Sequence, residues 1–123
     1  MNNKVRSAII LCGGKGTRLG SITKKIPKTL VKVQGREILW YTIKFLKKNG
    51  FNHFILPLGY KSNLVKNFLI KNNYFDSKIN AIQTGTNAHI GKRLSVVSKY
   101  IISDNFLLIN GDTILNFDLK KIF

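Results

Sequence analysis

The chain has little cysteine, proline and acid: one cysteine, two prolines, and five aspartates and glutamates among 123 residues. A single cysteine, Cys12, excludes an internal disulfide and fits a reducing compartment. No apolar run approaches the roughly 18 residues that a transmembrane helix needs. The N-terminal residues lack the apolar segment and cleavage site of a signal peptide. These absences predict a cytoplasmic protein with no membrane partner.

The scarcity of acidic residues leaves a formal net charge of +16, from 21 lysines and arginines. Such a balance raises the question of nucleic-acid binding. However, the cations are mostly lysines, they are scattered through the predicted helices, and asparagine and isoleucine are also abundant. This composition is as typical of an AT-biased coding sequence as of a selected surface. We expect no nucleic-acid partner, because attraction of nucleotides and sugar phosphates is a sufficient use of the charge.

Apolar runs alternate with segments of helical periodicity along the chain. The predicted strands are residues 5–12, 53–58, 79–83 and 105–109, with a short extended piece at 29–33. The predicted helices are residues 38–49, a segment that begins after an N-cap at Ser62, and residues 93–102. Strands alternating with helices predict an α/β fold with a mostly parallel sheet flanked by helices. Residues 1–123 are expected to form at most one domain.

Glycines and cations follow the first predicted strand directly, within residues 13–18. Glycine lets a backbone turn sharply beside a ligand, and successive N–H groups in such a turn form an anion-binding concavity. A further cation, Lys28, follows Pro27, whose φ is restricted. The dinucleotide fingerprint fits poorly here, and the P-loop pattern fails because no Gly-Lys-Ser/Thr occurs. The segment therefore predicts a polyphosphate site of another type.

The sequence pattern of this segment is more specific than that of a generic glycine-rich turn. The string reads Leu11-Cys12-Gly13-Gly14-Lys15-Gly16-Thr17-Arg18-Leu19, with Pro27-Lys28 further on. It resembles the signature of the sugar-phosphate nucleotidyltransferases. The resemblance implies a Rossmann-like nucleotide-diphospho-sugar transferase fold, with a nucleoside triphosphate and a sugar 1-phosphate as the partners. It also allows a homo-oligomer in the full-length enzyme.

Site residues are implied by matching the motif position by position. Arg18 and Lys28 are the implied catalytic residues, since both can neutralise phosphate charge. Asp112 is the implied ligand of Mg²⁺, the expected cofactor, although an aspartate after a strand could also cap a turn. The implied nucleotide-binding residues are Leu11, Gly13, Gly14, Lys15, Gly16, Thr17, Arg93 and Gly111. Arg93 could instead be an ordinary cation at a helix N-terminus.

The ends of two predicted strands carry most of these residues. The glycine segment follows the first predicted strand, and Gly111 and Asp112 follow the fourth. The carboxyl ends of parallel strands lie at one edge of a sheet, where ligands bind. We therefore expect these two segments at the same edge.

Further segments most resemble the glucose-1-phosphate cytidylyltransferases. They are Gly35-Arg36-Glu37-Ile38-Leu39-Trp40, Gly59-Tyr60-Lys61, Thr84-Gly85 and Gly91-Lys92-Arg93-Leu94. This resemblance implies CTP and glucose 1-phosphate as substrates and CDP-glucose as product. Ala88 stands where that pattern has a threonine, which leaves GTP, UTP or dTTP as alternatives.

The resemblance covers only the N-terminal, nucleotide-binding half of the family's fold. Family members extend well beyond this length and carry a second metal-binding aspartate and most sugar contacts there. We therefore expect a truncated chain whose sheet has an uncovered edge and exposed apolar surface. A non-catalytic nucleotide-binding remnant is the alternative from another functional class.

Overall fold

The computed structural model describes residues 5–12, 26–85, 89–102 and 105–111. The strands are β1 (Ser7–Leu11), β2 (Lys32–Val33), β3 (Arg36–Glu37), β4 (His53–Leu58), β5 (Lys78–Gln83) and β6 (Phe106–Asn110). The α-helices are α1 (Ile38–Lys48), α2 (Ser62–Lys71) and α3 (Ile90–Val97). Short turns of 3₁₀ type lie at Lys28–Leu30, Asn73–Asp76 and Ser98–Tyr100. The predicted alternation of strands and helices is confirmed.

The central element is a four-stranded sheet in the order β5-β4-β1-β6. All three strand pairings in this sheet are parallel. From β1 the chain passes outward to β4 and then β5, and it returns to the opposite side of β1 to form β6. The order of strands thus reverses between β1 and β6. In open α/β sheets ligands bind at the carboxyl ends of the strands beside such a reversal.

Apolar layers cover both faces of the sheet. Ala8 and Ile10 of β1 belong to one layer together with buried residues of α1 and α2. Ile9, which points to the opposite face, packs in a second layer with Val97 of α3. Because both faces of the central strands β1 and β4 are covered, these two strands read in the sequence as continuous apolar runs. The predicted parallel sheet flanked by helices is confirmed.

Glycines with positive φ end two elements as the sequence predicts. Gly50 (φ 91°) follows α1, and the N–H groups of Gly50 and Phe51 donate to carbonyl oxygens in the last turn of that helix, each at 3.0 Å. This is the Schellman arrangement, which glycine accommodates without strain. Gln34 (φ 51°) and Gly35 (φ 88°) form the two-residue turn between β2 and β3. Positive φ at both positions is the type I′ geometry of tight hairpins.

The expectation of an extended segment at 29–33 is wrong in its first part. Residues Lys28–Leu30 form a 3₁₀ turn, in which the N–H of Leu30 donates to the carbonyl of Pro27 at 2.9 Å. Val31 has extended backbone angles, and Lys32–Val33 form strand β2. Proline with its fixed φ is well suited to start such a turn. Lys28 is therefore the first residue of a tight turn.

Two helices also differ from expectation in their boundaries. The third helix begins at Ile90 and ends at Val97, not at 93 and 102. At its end the hydroxyl of Ser98 donates to the carbonyl of Ser95 at 2.9 Å, a local bond that competes with helical pairing. Ser62 is the first residue of α2 and not its N-cap, which is Lys61 with φ 51°. Arg93 therefore lies within a helix, not at its start.

A buried row of polar groups lies near the amino ends of the strands. The hydroxyl of Ser7 lies 2.9 Å from Nδ1 of His53, and Nε2 of that ring lies 2.7 Å from Oδ1 of Asn80. These contacts satisfy the imidazole on both sides, as a buried polar group requires. The row is remote from the edge where ligands are expected.

Strand β6 forms an edge of the sheet in the described part of the chain. Phe106, Leu107 and Leu108 are exposed to 48%, 37% and 41% of their surfaces. The expected sheet edge with exposed apolar surface is confirmed for these residues. Within the same described ranges, no helix has the length and hydrophobicity needed to cross a membrane.

Candidate functional site

The ends of β1 and β6 meet where the strand order reverses. The N–H of Gly111, the residue after β6, donates to the carbonyl of Leu11 at 3.0 Å. The hydroxyl of Thr42, on α1, donates to the carbonyl of Gly111 at 2.9 Å. The ends of β1 and β6, from which the two predicted segments continue, therefore lie together at one edge of the sheet. Leu11 leads into the glycine segment, and Gly111 leads into Asp112.

The turn that carries Lys28 packs against this junction. A Cβ atom placed on Gly111 would lie 2.5 Å from Cγ2 of Thr29 and 3.1 Å from the carbonyl oxygen of Leu11. Both distances are too short for ordinary contacts, so the site accepts only glycine without rearrangement. Thr29, itself 5% exposed, directly follows Lys28. The predicted catalytic lysine is thus tied to the end of β6 through its neighbour.

Arg93 reaches from α3 to the carboxyl ends of β4 and β5. Arg93 is buried, with 8% exposure, and Nη1 donates to the hydroxyl oxygen of Thr84 at 2.9 Å. That hydroxyl in turn donates to the carbonyl of Leu58 at 3.0 Å. A Cβ atom placed on Gly59 would lie 2.9 and 3.0 Å from the two terminal nitrogens of Arg93. Arg93 lies in the first turns of α3, and its guanidinium is buried against Thr84 and Gly59 and is not an exposed surface cation.

The thiol of Cys12 lies buried at the end of β1. Burial raises the pKa of Cys12 from its usual 9.0 to about 12, although the positive charge of Arg93 and the hydroxyl of Thr29 act in the opposite direction. The Sγ atom donates to the carbonyl of Ile10 at 3.3 Å. A neutral, buried thiol is a poor nucleophile. These facts agree with a packing role for Cys12 at the end of a strand.

The stability of the fold should depend on this thiol at high pH. In the unfolded chain the thiol loses its proton near its usual pKa of 9.0, whereas in the folded chain it keeps the proton up to about pH 12. The contribution of the neutral thiol to the free energy of unfolding is therefore fully present below pH 9. Between pH 9 and 12 the free energy of unfolding falls by up to about 1.4 kcal/mol per pH unit. Urea unfolding at pH 8, 9 and 10 measures this slope. The Cys12→Ala variant is the control, and equal slopes for both proteins would refute the assignment.

Four of the predicted site residues lie within the described ranges: Leu11, Lys28, Arg93 and Gly111. Leu11 and Gly111 lie at the ends of β1 and β6, Lys28 precedes Thr29 beside them, and Arg93 lies at the same edge beside β4 and β5. The others lie outside the described residues; they are Gly13, Gly14, Lys15, Gly16, Thr17, Arg18 and Asp112. Their roles therefore stay predictions from the sequence.

The described residues contain no cluster of three His, Cys, Asp or Glu that could hold a metal ion. Asp112, the implied Mg²⁺ ligand, falls outside them. The Thr42 hydroxyl and the Leu11 carbonyl at this edge already form hydrogen bonds with Gly111, which leaves the predicted carboxylate of Asp112 and the phosphate oxygens of a nucleotide as the hard donors that suit Mg²⁺. This donor chemistry fits a magnesium ion that arrives with a nucleotide, and the ion remains a prediction.

Some residues of the site have no motif in the sequence. Thr42 and Thr29 belong to no pattern that resembles a known signature. Thr42 interrupts an otherwise apolar helix face, between Leu39 and Ile43, and this interruption is the one available signal. A buried hydroxyl in such a place needs a hydrogen-bond partner, which could not be identified without the fold.

Residues 7–123 match the family described as Nucleotidyl transferase, so the chain belongs to this family. The chain is 36% identical to a protein of Bacillus subtilis named as a probable glucose-1-phosphate cytidylyltransferase, covering 91% of the chain and 52% of that protein. It is 35% identical to a D-glycero-alpha-D-manno-heptose 1-phosphate guanylyltransferase of Campylobacter jejuni, covering 94% of the chain and 51% of that protein.

A solved structure shares this fold. It is HddC from Yersinia pseudotuberculosis complexed with GMP-PN, which superposes with a TM-score of 0.74 at 35% identity and covers 86% of this chain and 47% of that one. The chain thus spans about half the length of the relatives that it matches. The resemblance to the sugar-phosphate nucleotidyltransferases is confirmed.

Proposed function

We propose that this chain supplies the nucleotide-binding part of an enzyme that transfers a cytidylyl group from CTP to glucose 1-phosphate. The products are CDP-glucose and pyrophosphate. The observation that supports this most is the meeting of three segments at the reversal of strand order. The ends of β1 and β6 are hydrogen-bonded there, and the turn of Lys28 packs on Gly111. Each of these segments continues into, or contains, a residue of the family signature.

In the proposed reaction a phosphate oxygen of the sugar 1-phosphate attacks the α-phosphorus of the triphosphate. The bond from that phosphorus to the bridging oxygen breaks, and pyrophosphate leaves with the electron pair. Such transfers are accelerated mainly by alignment and by neutralisation of charge. Arg18 and Lys28 would supply positive charge to the phosphates, and the N–H groups of residues 13–17 would bind their oxygens. Asp112 would hold Mg²⁺, which neutralises phosphate charge when bound.

Support for CTP and glucose 1-phosphate comes from the Bacillus relative and from the cytidylyltransferase-like segments of the sequence. The buried Arg93, anchored on Thr84 at the same edge of the sheet, is the proposed nucleotide contact outside the glycine segment. A guanylyl transfer to a heptose 1-phosphate is the second candidate. It is supported by the Campylobacter relative and by the Yersinia structure in complex with GMP-PN.

Pyrophosphate release tests the proposal and separates the two candidates. The full-length enzyme that contains this chain is supplied with Mg²⁺, one of CTP, GTP, UTP or dTTP, and either glucose 1-phosphate or the heptose 1-phosphate. Release with CTP and glucose 1-phosphate is the expected result. Release with GTP and the heptose phosphate would replace the first candidate by the second. Failure of the chain to bind any of the four triphosphates would contradict both.

A further inference from the structure

Gly111 is held by contacts from two distant parts of the chain. The hydroxyl of Thr42, on α1, donates to the carbonyl of Gly111 at 2.9 Å. The N–H of the same glycine donates to the carbonyl of Leu11 at 3.0 Å. Thr42 is fully buried, and the methyl group of Thr29 packs on the glycine from a third direction. Gly111 is thus restrained on both of its backbone polar groups.

A planar peptide transmits this restraint to the next residue. The carbonyl of Gly111 and the nitrogen of Asp112 belong to one planar unit, with a high barrier to rotation. A hydrogen bond to the carbonyl oxygen therefore restricts rotation about the Cα–C bond of Gly111, which sets the direction in which the chain leaves this residue. This step needs only the position of Gly111 and the covalent geometry of the chain.

A purely local role for the Thr42 hydroxyl is the competing explanation. Threonine in helices often donates to the carbonyl four residues earlier, and here the Thr42 hydroxyl lies 3.2 Å from the carbonyl oxygen of Ile38. The contact with Gly111 is the shorter one. Valine would fill the same space in the apolar face without burying a hydroxyl, so the local bond alone gives little reason for threonine. The contact across the fold supplies that reason.

We propose that Thr42 is a positioning residue for Asp112, acting through the carbonyl of Gly111. The inference rests on the proposed function, in which Asp112 holds the magnesium ion of the bound nucleotide. Residues that orient a metal ligand without touching the metal commonly change metal affinity about 10- to 100-fold when replaced. Loss of the Thr42 hydroxyl should therefore weaken the Mg²⁺-dependent part of nucleotide binding.

Three variants of the full chain test this, with CTP binding measured by isothermal titration in Mg²⁺ and in EDTA. Thr42→Val keeps the shape and removes the donor, and it should weaken binding about tenfold in Mg²⁺ and leave binding in EDTA unchanged. Thr42→Ser keeps the donor and should stay within about twofold of the wild type. Ser7→Ala removes a buried hydroxyl near the opposite end of β1. It should lower the melting temperature without changing the affinity.

The outcomes separate this inference from the proposed function. If the wild-type chain binds CTP with Mg²⁺ dependence and Thr42→Val binds equally well, the inference is wrong and the proposed function stands. If the wild type binds no nucleoside triphosphate, the proposed function fails and the inference with it. Equal losses of affinity in Ser7→Ala and Thr42→Val would show a general effect of stability and overturn the inference. Thr42→Ala replaces the valine variant if that variant does not fold, and wild-type affinity in the alanine variant would likewise overturn it.

Discussion

Replacing Gly111 with alanine is expected to weaken nucleotide binding about 100-fold, and to lower the free energy of unfolding by about 1–3 kcal/mol. The new Cβ would lie 2.5 Å from Cγ2 of Thr29 and 3.1 Å from the carbonyl oxygen of Leu11. Relief of this overlap must move the end of β6 away from β1 or push the Lys28 turn outward. Either movement separates groups that the proposed reaction requires in one place. Urea unfolding and titration with CTP in Mg²⁺ measure the two effects.

A second substitution distinguishes this overlap from a general intolerance of alanine. Serine at position 29 lacks the Cγ2 atom that the new Cβ would meet, so Thr29→Ser should restore much of the affinity lost in Gly111→Ala. The contact with the carbonyl of Leu11 remains, and restoration should therefore be partial. Wild-type binding by Gly111→Ala alone would show that the junction of β1 and β6 is not part of the nucleotide site.

Replacing Gly59 with alanine is expected to displace the guanidinium of Arg93 from Thr84. The added Cβ would lie 2.8 Å from the carbonyl oxygen of Gly85 and 2.9 Å from Nη1 of Arg93. The backbone contact cannot be relieved by a side-chain rotation, so overpacking should cost about 1–3 kcal/mol in the free energy of unfolding. If Arg93 contacts the nucleotide as proposed, CTP affinity should also fall about tenfold, the loss of one hydrogen bond to a charged group.

Gly91→Ala is the matched control for this prediction. Gly91 lies in the same helix as Arg93, and a Cβ placed there meets nothing within 4 Å. Alanine is the better helix former by about 1 kcal/mol, so this variant should be at least as stable as the wild type, with unchanged CTP affinity. Equal behaviour of the Gly59 and Gly91 variants would refute the steric argument at Gly59.

The sheet and its helices could be predicted because their signals are local. The run His53–Leu58 has the bounds that the apolar pattern predicts, and α1 ends at the predicted glycine, Gly50. Burial on both faces makes parallel strands continuous apolar runs, which are easily read. The proximity of Leu11 and Gly111 could also be predicted, since parallel strands end at a common edge of the sheet.

The contacts that complete the site depend on residues far apart in the sequence, and no local pattern reveals them. Thr42 and Gly111 are 69 positions apart, and the hydroxyl of Thr42 alone gives no sign of its partner. The start of α3 was misplaced because His89 occupies the N-cap without a side-chain cap hydrogen bond, and Gly91 resembles a loop residue. With a helix start at residue 93, Arg93 reads as a cation at a helix N-terminus.

Binding of Mg²⁺–CTP to the chain and to its Arg18→Ala variant tests the central claim most directly. Isothermal titration at fixed ionic strength is the measurement, with GTP, UTP and dTTP as competitors. The proposed function predicts Mg²⁺-dependent binding to the wild type, with CTP favoured. It also predicts a loss of about tenfold or more in the variant, because a charged contact to phosphate is removed. Absence of binding for all four triphosphates, or equal binding by the wild type and the variant, would contradict it.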